Sequence, residues 1–516
     1  MKTKIDIERL FGDDVRAKFR RFFAVMLPIL ITQSAIMGMN FVDTVMSGRA
    51  GAEQLAGTSI GANLWMPVFT TINGILIAAT PLTAHLVGAG KRGEIGGVIR
   101  HGLWLALCFS LLCFVAAFFL LSPVLASLRL EPAVAHIATY YLAGIGIGII
   151  PFFMGTVLRS LVDTLGGTRL TMQVYLAALP VNAVLNYVLI FGKLGLPALG
   201  GIGAGIGTGL TCWLVFGMFY CIVTRATSYC DIPILSAREN GTVGANRSCG
   251  WASAHAEGQG GLLLPTSGAA GENPLAQAKS QRAAFPVQQK RTFLLSLDGA
   301  MIREYLRIGV PIGLSIFMET SIFGVVAFLV AKFGTAAIAA SQAAMSFSSL
   351  MYMLPLSVSM SMTILIGTEA GRKAWRTAEQ YGNVGLAFNW LCALVLPGMC
   401  FLLRYPIARM YITDPAIVLI CVRFIVYSCI FMMGDAVAAP IQGILRGYKD
   451  VKAPFYSALV AYWVICAPVG LFFDYVLQHG PYSYWQSLDF GLFASAVILF
   501  FRLLHIRKKL RRQKEL

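Results

Sequence analysis

The chain has 516 residues, of which 57% are hydrophobic and only 13% charged, with a mean hydropathy of +0.71 and a formal net charge of +17. A soluble protein carries about 25% charged residues, so a water-soluble globular fold is excluded. Apolar runs of 20 residues or more also exclude a membrane β-barrel, whose strands are short and alternate apolar with polar residues.

In chain order, apolar runs long enough to cross about 30 Å of hydrocarbon as helices fall near 22–46, 55–80, 96–121, 133–157, 170–190, 202–224, 307–331, 337–366, 383–403, 415–441, 453–474 and 488–503. Twelve is an even number, so both termini are expected on one side. The basic residues lie between and beyond the runs, which speaks for membrane topology and against nucleic acid. Of the 41 Lys and Arg, 34 lie in segments on the side of the termini and six on the other, with Arg423 inside a span. The positive-inside rule then places both termini of this multi-pass chain in the cytoplasm. The eleven Cys lie mostly inside apolar runs without a CxxC pair and read as small buried hydrophobes. The first run is too long for a signal-peptide core and reads as an uncleaved span.

The sequence repeats itself. Pro28-Ile-Leu-Ile-Thr-Gln opens the first span and Pro311-Ile-Gly-Leu-Ser-Ile the seventh. Ala89-Gly90-Lys91 answers Ala370-Gly371-Arg372, and Leu158-Arg159-Ser160 answers Leu445-Arg446-Gly447. Six spans per half make the repeats parallel, related by an axis along the membrane normal. The expected architecture is an all-α polytopic membrane protein with twelve transmembrane helices in two six-helix bundles. Its divisions are a basic N-terminus (1–21), an N-terminal bundle (22–228), a cytoplasmic linker (229–300), a C-terminal bundle (301–503) and a basic tail (504–516). The linker is rich in Gly, Ala, Ser, Gln and Asn and has neither helical nor strand period.

Three acids stand inside spans: Asp43, Glu319 and Asp435. A charge at the bilayer centre costs roughly 2.5–3.5 kcal/mol on insertion scales, so it is seldom kept without a partner or a task. At about 1.5 Å of rise per residue, Glu319 lies roughly 18 Å beyond Arg307 and Asp435 roughly 17 Å before Arg446. Both come out near mid-depth and are expected to share a site in the C-terminal bundle. Asp43 lies deeper toward the far side. Asn182 and Asn186, at i and i+4 on one face of the fifth span, fall at a similar depth and are expected to join it in a polar cluster. The bland alternative is an interhelical hydrogen bond for each. Asp163, Glu369, Asp450 and Asp474 sit at span ends and need no special role. Paired carboxylates in oil suit either a monovalent cation such as Na⁺ or a proton, and the residues alone leave both open.

These stretches resemble the multidrug and toxic compound extrusion (MATE) family of transporters, in its NorM-like branch. The resemblance is carried by Asn40-Phe-Val-Asp43-Thr-Val-Met-Ser-Gly and Pro180-Val-Asn182-Ala-Val-Leu-Asn186-Tyr, and by Gly192-Lys-Leu-Gly-Leu-Pro-Ala-Leu-Gly-Gly-Ile-Gly. Pro311-Ile-Gly-Leu-Ser-Ile-Phe-Met-Glu319 and Leu445-Arg-Gly-Tyr-Lys-Asp450 extend it into the second half. It implies a V-shaped pair of bundles and cation-coupled export of cationic or amphiphilic drugs, driven by Na⁺ or H⁺, with no other cofactor. It also implies that Glu319 and Asp435 bind the coupling ion, Na⁺ included, and that Asp43, Asn182 and Asn186 serve protonation or substrate coupling. The expected partners are small-molecule drugs, the coupling ion and the lipid bilayer, with the chain acting as a monomer. Two departures stand out: the long insertion at 229–300, and His85 just before Gly88-Ala-Gly90, where Gln or Asn is expected nearby. A flippase for a lipid-linked or polysaccharide precursor would favour basic residues in its spans, whereas these spans carry acids. An intramembrane enzyme would show HExxH, GxSxG or paired His ligands, and none appears.

The linker yields a prediction. Deleting most of 235–285 should leave transport nearly unchanged, measured as dye efflux by cells carrying equal amounts of the shortened and full chains.

Overall fold

In a computed structural model, the structure describes residues 14–127, 130–226, 229, 298–412 and 414–512. The linker read at 229–300 therefore lies almost wholly outside the described residues, as do the first 13 and last four residues. Among the described residues, twelve helices are long and apolar enough to span a membrane. They are α1 (Val15–Ala50), α2 (Glu53–Gly88), α3 (Arg92–Ser127), α4 (Pro132–Thr164), α5 (Thr168–Phe191) and α6 (Gly201–Arg225) in the first half. The second half holds α7 (Gly299–Phe333), α8 (Thr335–Gly371), α9 (Trp375–Leu402), α10 (Pro415–Gly447), α11 (Lys452–Tyr475) and α12 (Gly480–Leu510).

Each helix answers to one of the expected apolar runs, and several overrun it. Polar residues extend α1 back to Val15 and α12 on to Leu510, because a helix that has satisfied its backbone in oil continues into the aqueous layer at little cost. The outward faces are apolar: Phe118 and Phe328 are each 81% exposed, which suits contact with lipid chains and not with water. Two helices are irregular. In α2 the turn at Ile77–Ala78 coincides with Pro81, which has no N–H to give the Ile77 carbonyl, and Thr80 N donates to it instead at 2.9 Å. In α11, residues Leu459–Cys466 are wound as a π-helix.

The two halves use one packing scheme. In the first, α4 packs on α2, α3 and α6, and α5 on α1 and α6; in the second, α10 packs on α8, α9 and α12, and α11 on α7 and α12. The apolar side chains gather into two cores, one per half, but the cores trade ends. Phe22 and Met26 of α1 belong to the core of the second half, while Tyr305, Ile308 and Ile312 of α7 belong to that of the first.

Contacts that join the halves gather on the side of the termini. Tyr305 donates from its hydroxyl to the Leu76 carbonyl at 2.7 Å, and His85 Nε2 bonds the Gly447 carbonyl at 2.7 Å. Arg21 lies 3.5 Å from Glu369, and Phe22 packs edge-on against Phe388. Glycine permits the closest approach. A Cβ on Gly88 would stand 1.9 Å from the Thr368 carbonyl oxygen, and one on Gly371 would stand 2.2 Å from that of His85. Backbone therefore meets backbone where α2 crosses α8.

Gly88→Ala and Gly371→Ala should each destabilise the protein by about 1–3 kcal/mol through overpacking. Gly398→Ala, where a Cβ meets nothing within 4 Å, should leave the midpoint of thermal unfolding in detergent in place.

Candidate functional site: carboxylates inside the two bundles

In the second half, Asp435 of α10 is 5% exposed, and Glu319 of α7 is half-buried. The two carboxylates lie within electrostatic range of each other, and of Tyr352 from α8 and Tyr462 from the π-helical segment of α11. Opposite chain directions thus deliver both acids to one region, as their depths require. Neither carboxylate has a hydrogen bond or an ion pair within 4 Å among the described residues. A small cavity between α8, α9 and α10 is lined by Ser348, Tyr352, Asn389, Cys392, Phe431 and Asp435. Asn389 donates to the Ala436 carbonyl at 2.6 Å and leaves its own side-chain oxygen buried and unmatched. The two carboxylates and the unmatched Asn389 oxygen are acceptors of the kind that a bare cation or a proton needs.

In the first half the acid is treated differently. Asp43 of α1 accepts from the Asn186 amide through Oδ1 and from the Thr208 hydroxyl, 2.8 Å away, through Oδ2. Asn186 also donates to Asn182 Oδ1 at 3.3 Å, and Asn182 donates to Thr211 Oγ1 at 3.4 Å. Both amides are fully buried between α5 and α6. Gly207 lets them in, since a Cβ there would stand 2.2 Å from Asn186 Oδ1. Tyr141 of α4 lies within electrostatic range of Asp43. Two donors fixed on a carboxylate hold it in place and stabilise its charge without any ion.

All five residues singled out in the sequence are thus brought together in two clusters, three in one and two in the other. The sequence reading missed Thr208, Thr211 and Tyr141 around Asp43, and Tyr352 and Tyr462 around the paired acids. Thr208 and Thr211 leave a faint signal, two hydroxyls three residues apart in a glycine-rich span; a single Tyr in an apolar helix leaves none.

The acids at the span ends divide. Asp163 is buried and held by Thr171 Oγ1 at 2.6 Å and Arg159 Nε at 3.4 Å. Glu369 takes Arg372 at 3.0 Å beside Arg21, and Asp474 takes Lys332 and the Tyr484 hydroxyl. Asp450 pairs with Arg502 at 2.7 Å near the surface. Each binds helices together, so structural work accounts for them. Among the described residues no three His, Cys, Asp or Glu side chains converge as a metal cluster.

Comparison with known proteins decides the family. A single family model, MatE, matches the chain twice, over residues 28–188 and 311–472. The chain belongs to the MatE family of transporters. Both matches open on the prolines that begin the two repeats, Pro28 and Pro311, and each runs into the fifth span of its half. The probable multidrug resistance protein NorM of Halalkalibacterium halodurans is 38% identical over 504 residues, 98% of each chain. The protein of the same description from Bacillus subtilis is 38% identical over 496 residues, 96% of this chain and 97% of its own. Among solved structures, a MATE in the bent conformation superposes with a TM-score of 0.78 at 14% identity over 99% of both chains. The eukaryotic MATE transporter AtDTX14 gives 0.74 at 16% identity, over 96% of this chain and 99% of that one. An outward-facing MATE transporter of the MOP superfamily gives 0.75 at 15% identity over 98% of each. At such identities the superpositions establish the fold, while the closer relatives and the family match make this MatE protein a transporter and not an enzyme.

The two span-end aspartates should separate by burial. Asp163→Ala strands the Arg159 guanidinium in the interior and should cost about 3–5 kcal/mol of stability. Asp450→Ala, whose pair faces water, should cost about 0–1 kcal/mol. Thermal unfolding of the two variants side by side in detergent checks both.

Proposed function

We propose that this MatE transporter exports cationic, amphiphilic compounds by alternating access, in exchange for Na⁺ or H⁺ moving inward. The observation that carries the reading is the pair Glu319 and Asp435, within electrostatic range of each other inside the second half, with no hydrogen bond and no ion pair to either carboxylate among the described residues. Negative charge kept there in oil calls for a mobile positive partner, and exchanging that partner changes the charge inside the bundle. A ligand that binds one arrangement of the helices better than another shifts the balance between them.

In this reading Glu319 and Asp435 take the coupling ion, with Na⁺ held by carboxylate and neighbouring oxygens. Asp43, Asn182 and Asn186 form the second polar station, used for protonation or for coupling to the exported compound. Asp43 arrives there with its donors in place, so its task differs from that of the unsolvated pair. The halves touch on the side of the termini, which is the closed side; placing the termini in the cytoplasm makes this the outward-open state. The chain acts as a monomer in the bacterial inner membrane and needs no cofactor beyond its coupling ion. The curated relatives are described as probable multidrug resistance proteins, which supports drugs as the exported class.

Ethidium efflux tests this. Glu319→Gln and Asp435→Asn should each abolish active efflux with expression intact, and Asp43→Asn should reduce it strongly. Normal efflux by both of the first two variants would remove the ion site. Comparing an imposed Na⁺ gradient with an imposed pH gradient in vesicles then separates the two coupling ions.

A further inference from the structure

The sequence repeat pairs Arg159 at the end of α4 with Arg446 at the end of α10, and the structure gives these two cations different surroundings. Arg159 is fully engaged. Its Nε faces Asp163 four residues on, an Nη donates to Gln33 Oε1 at 3.2 Å, and the guanidinium lies over the Tyr175 ring at 5.2 Å. In the second half the carboxylate four residues on is Asp450, and it is taken by Arg502 from α12. Among the described residues the Arg446 side chain has one hydrogen bond, from Nη2 to Gln442 Oε1 at 3.3 Å, and its Nε is buried without a partner. Tyr352 and Glu319 lie within its electrostatic range.

Helix direction explains why these residues meet. Side chains lean toward the N-terminus of their own helix. Because α10 ends on the termini side, Arg446 leans inward from it, back over Gln442. Because α7 begins on that side, Glu319 leans outward from mid-depth toward Arg446. The lean of each side chain thus shortens the gap between two backbones that lie well apart in depth. Glu319 has no donor, and Arg446 has no carboxylate within 4 Å among the described residues.

We propose that Arg446 is an internal counter-ion for Glu319 that competes with the coupling cation. With the cation on Glu319 and Asp435, the guanidinium rests on Gln442. When the cation leaves, the guanidinium moves onto Glu319, neutralises the emptied site and so promotes release. No bond is made or broken; one positive charge replaces another. The inference rests on the reading of Glu319 and Asp435 as the ion site and adds a positioning residue that sets how tightly the ion is held.

The test uses the full chain in proteoliposomes, with ethidium as the exported probe. Efflux is titrated with NaCl at fixed pH and with pH at fixed NaCl. Arg446→Gln should lower the half-saturating concentration of the driving cation by about tenfold, or about 1.4 kcal/mol, and should slow maximal efflux because release is slower. Arg446→Lys keeps a charge there and should stay within about twofold of the parent. Gln442→Leu removes the resting partner and should shift the half-saturation the opposite way, to higher cation concentration; this variant decides the matter alone if Arg446→Gln is not inserted. An unchanged half-saturation in Arg446→Gln or in Gln442→Leu, or equal shifts in Arg446→Gln and Arg446→Lys, overturns the proposal. Failure of the underlying site reads out separately, as normal efflux by Glu319→Gln.

Discussion

Two carboxylates within electrostatic range of each other inside a membrane protein, with no hydrogen bond to either among the described residues, are the constraint on which the rest depends. Each such charge costs on the order of 2.5–3.5 kcal/mol at mid-depth on insertion scales, and their mutual repulsion adds to it. Three groups come near enough to matter without satisfying them: the Tyr352 and Tyr462 rings and the Arg446 guanidinium. The first half faces the same problem at Asp43 and meets it with fixed donors, Asn186 and Thr208. One scaffold thus carries two electrostatic designs. Asp43 has its donors built in, whereas Glu319 and Asp435 have none among the described residues.

Packing between the halves supplies the mechanical counterpart. Gly88 and Gly371 bring the backbones of α2 and α8 into contact, and His85 bonds directly to the Gly447 carbonyl, one residue beyond Arg446. The contact between the halves is therefore built partly on the segment that carries Arg446. A change in where Arg446 rests is felt one residue from a bond that joins the two halves. His85 has its structural use here: its ring nitrogen reaches the opposite half at the Gly447 carbonyl.

Much of this was legible in the sequence for a simple reason. In oil a backbone must satisfy itself, so apolar runs become helices with little room for tertiary override. For the same reason a charged residue in such a run is conspicuous, and a rise of about 1.5 Å per residue converts its position into depth. Asp43 with Asn182 and Asn186, and Glu319 with Asp435, were found in this way. The neighbours were not, because Tyr352, Tyr462 and Tyr141 are ordinary residues for such helices and acquire meaning only by facing an acid. Arg446 is more instructive. As a residue at a span end it marks the membrane edge, yet its side chain folds back into the bundle, since the lean of a helical side chain depends on chain direction and not on composition.

The sequence by itself determined the class of protein, the twelve spans, the twofold repeat and the depth of each buried acid, because each of these follows from distances along a single helix. Only the tertiary structure decided which acids are solvated by protein donors, which span-end acids are tied in ion pairs, and which arginine of a repeated pair keeps its partner. Those outcomes depend on which faces of separate helices meet, and helical periodicity limits those faces without choosing among them. Asp163 and Asp450 stand at the same distance from their arginines in sequence, and only the packing of α12 draws Arg502 onto one of them.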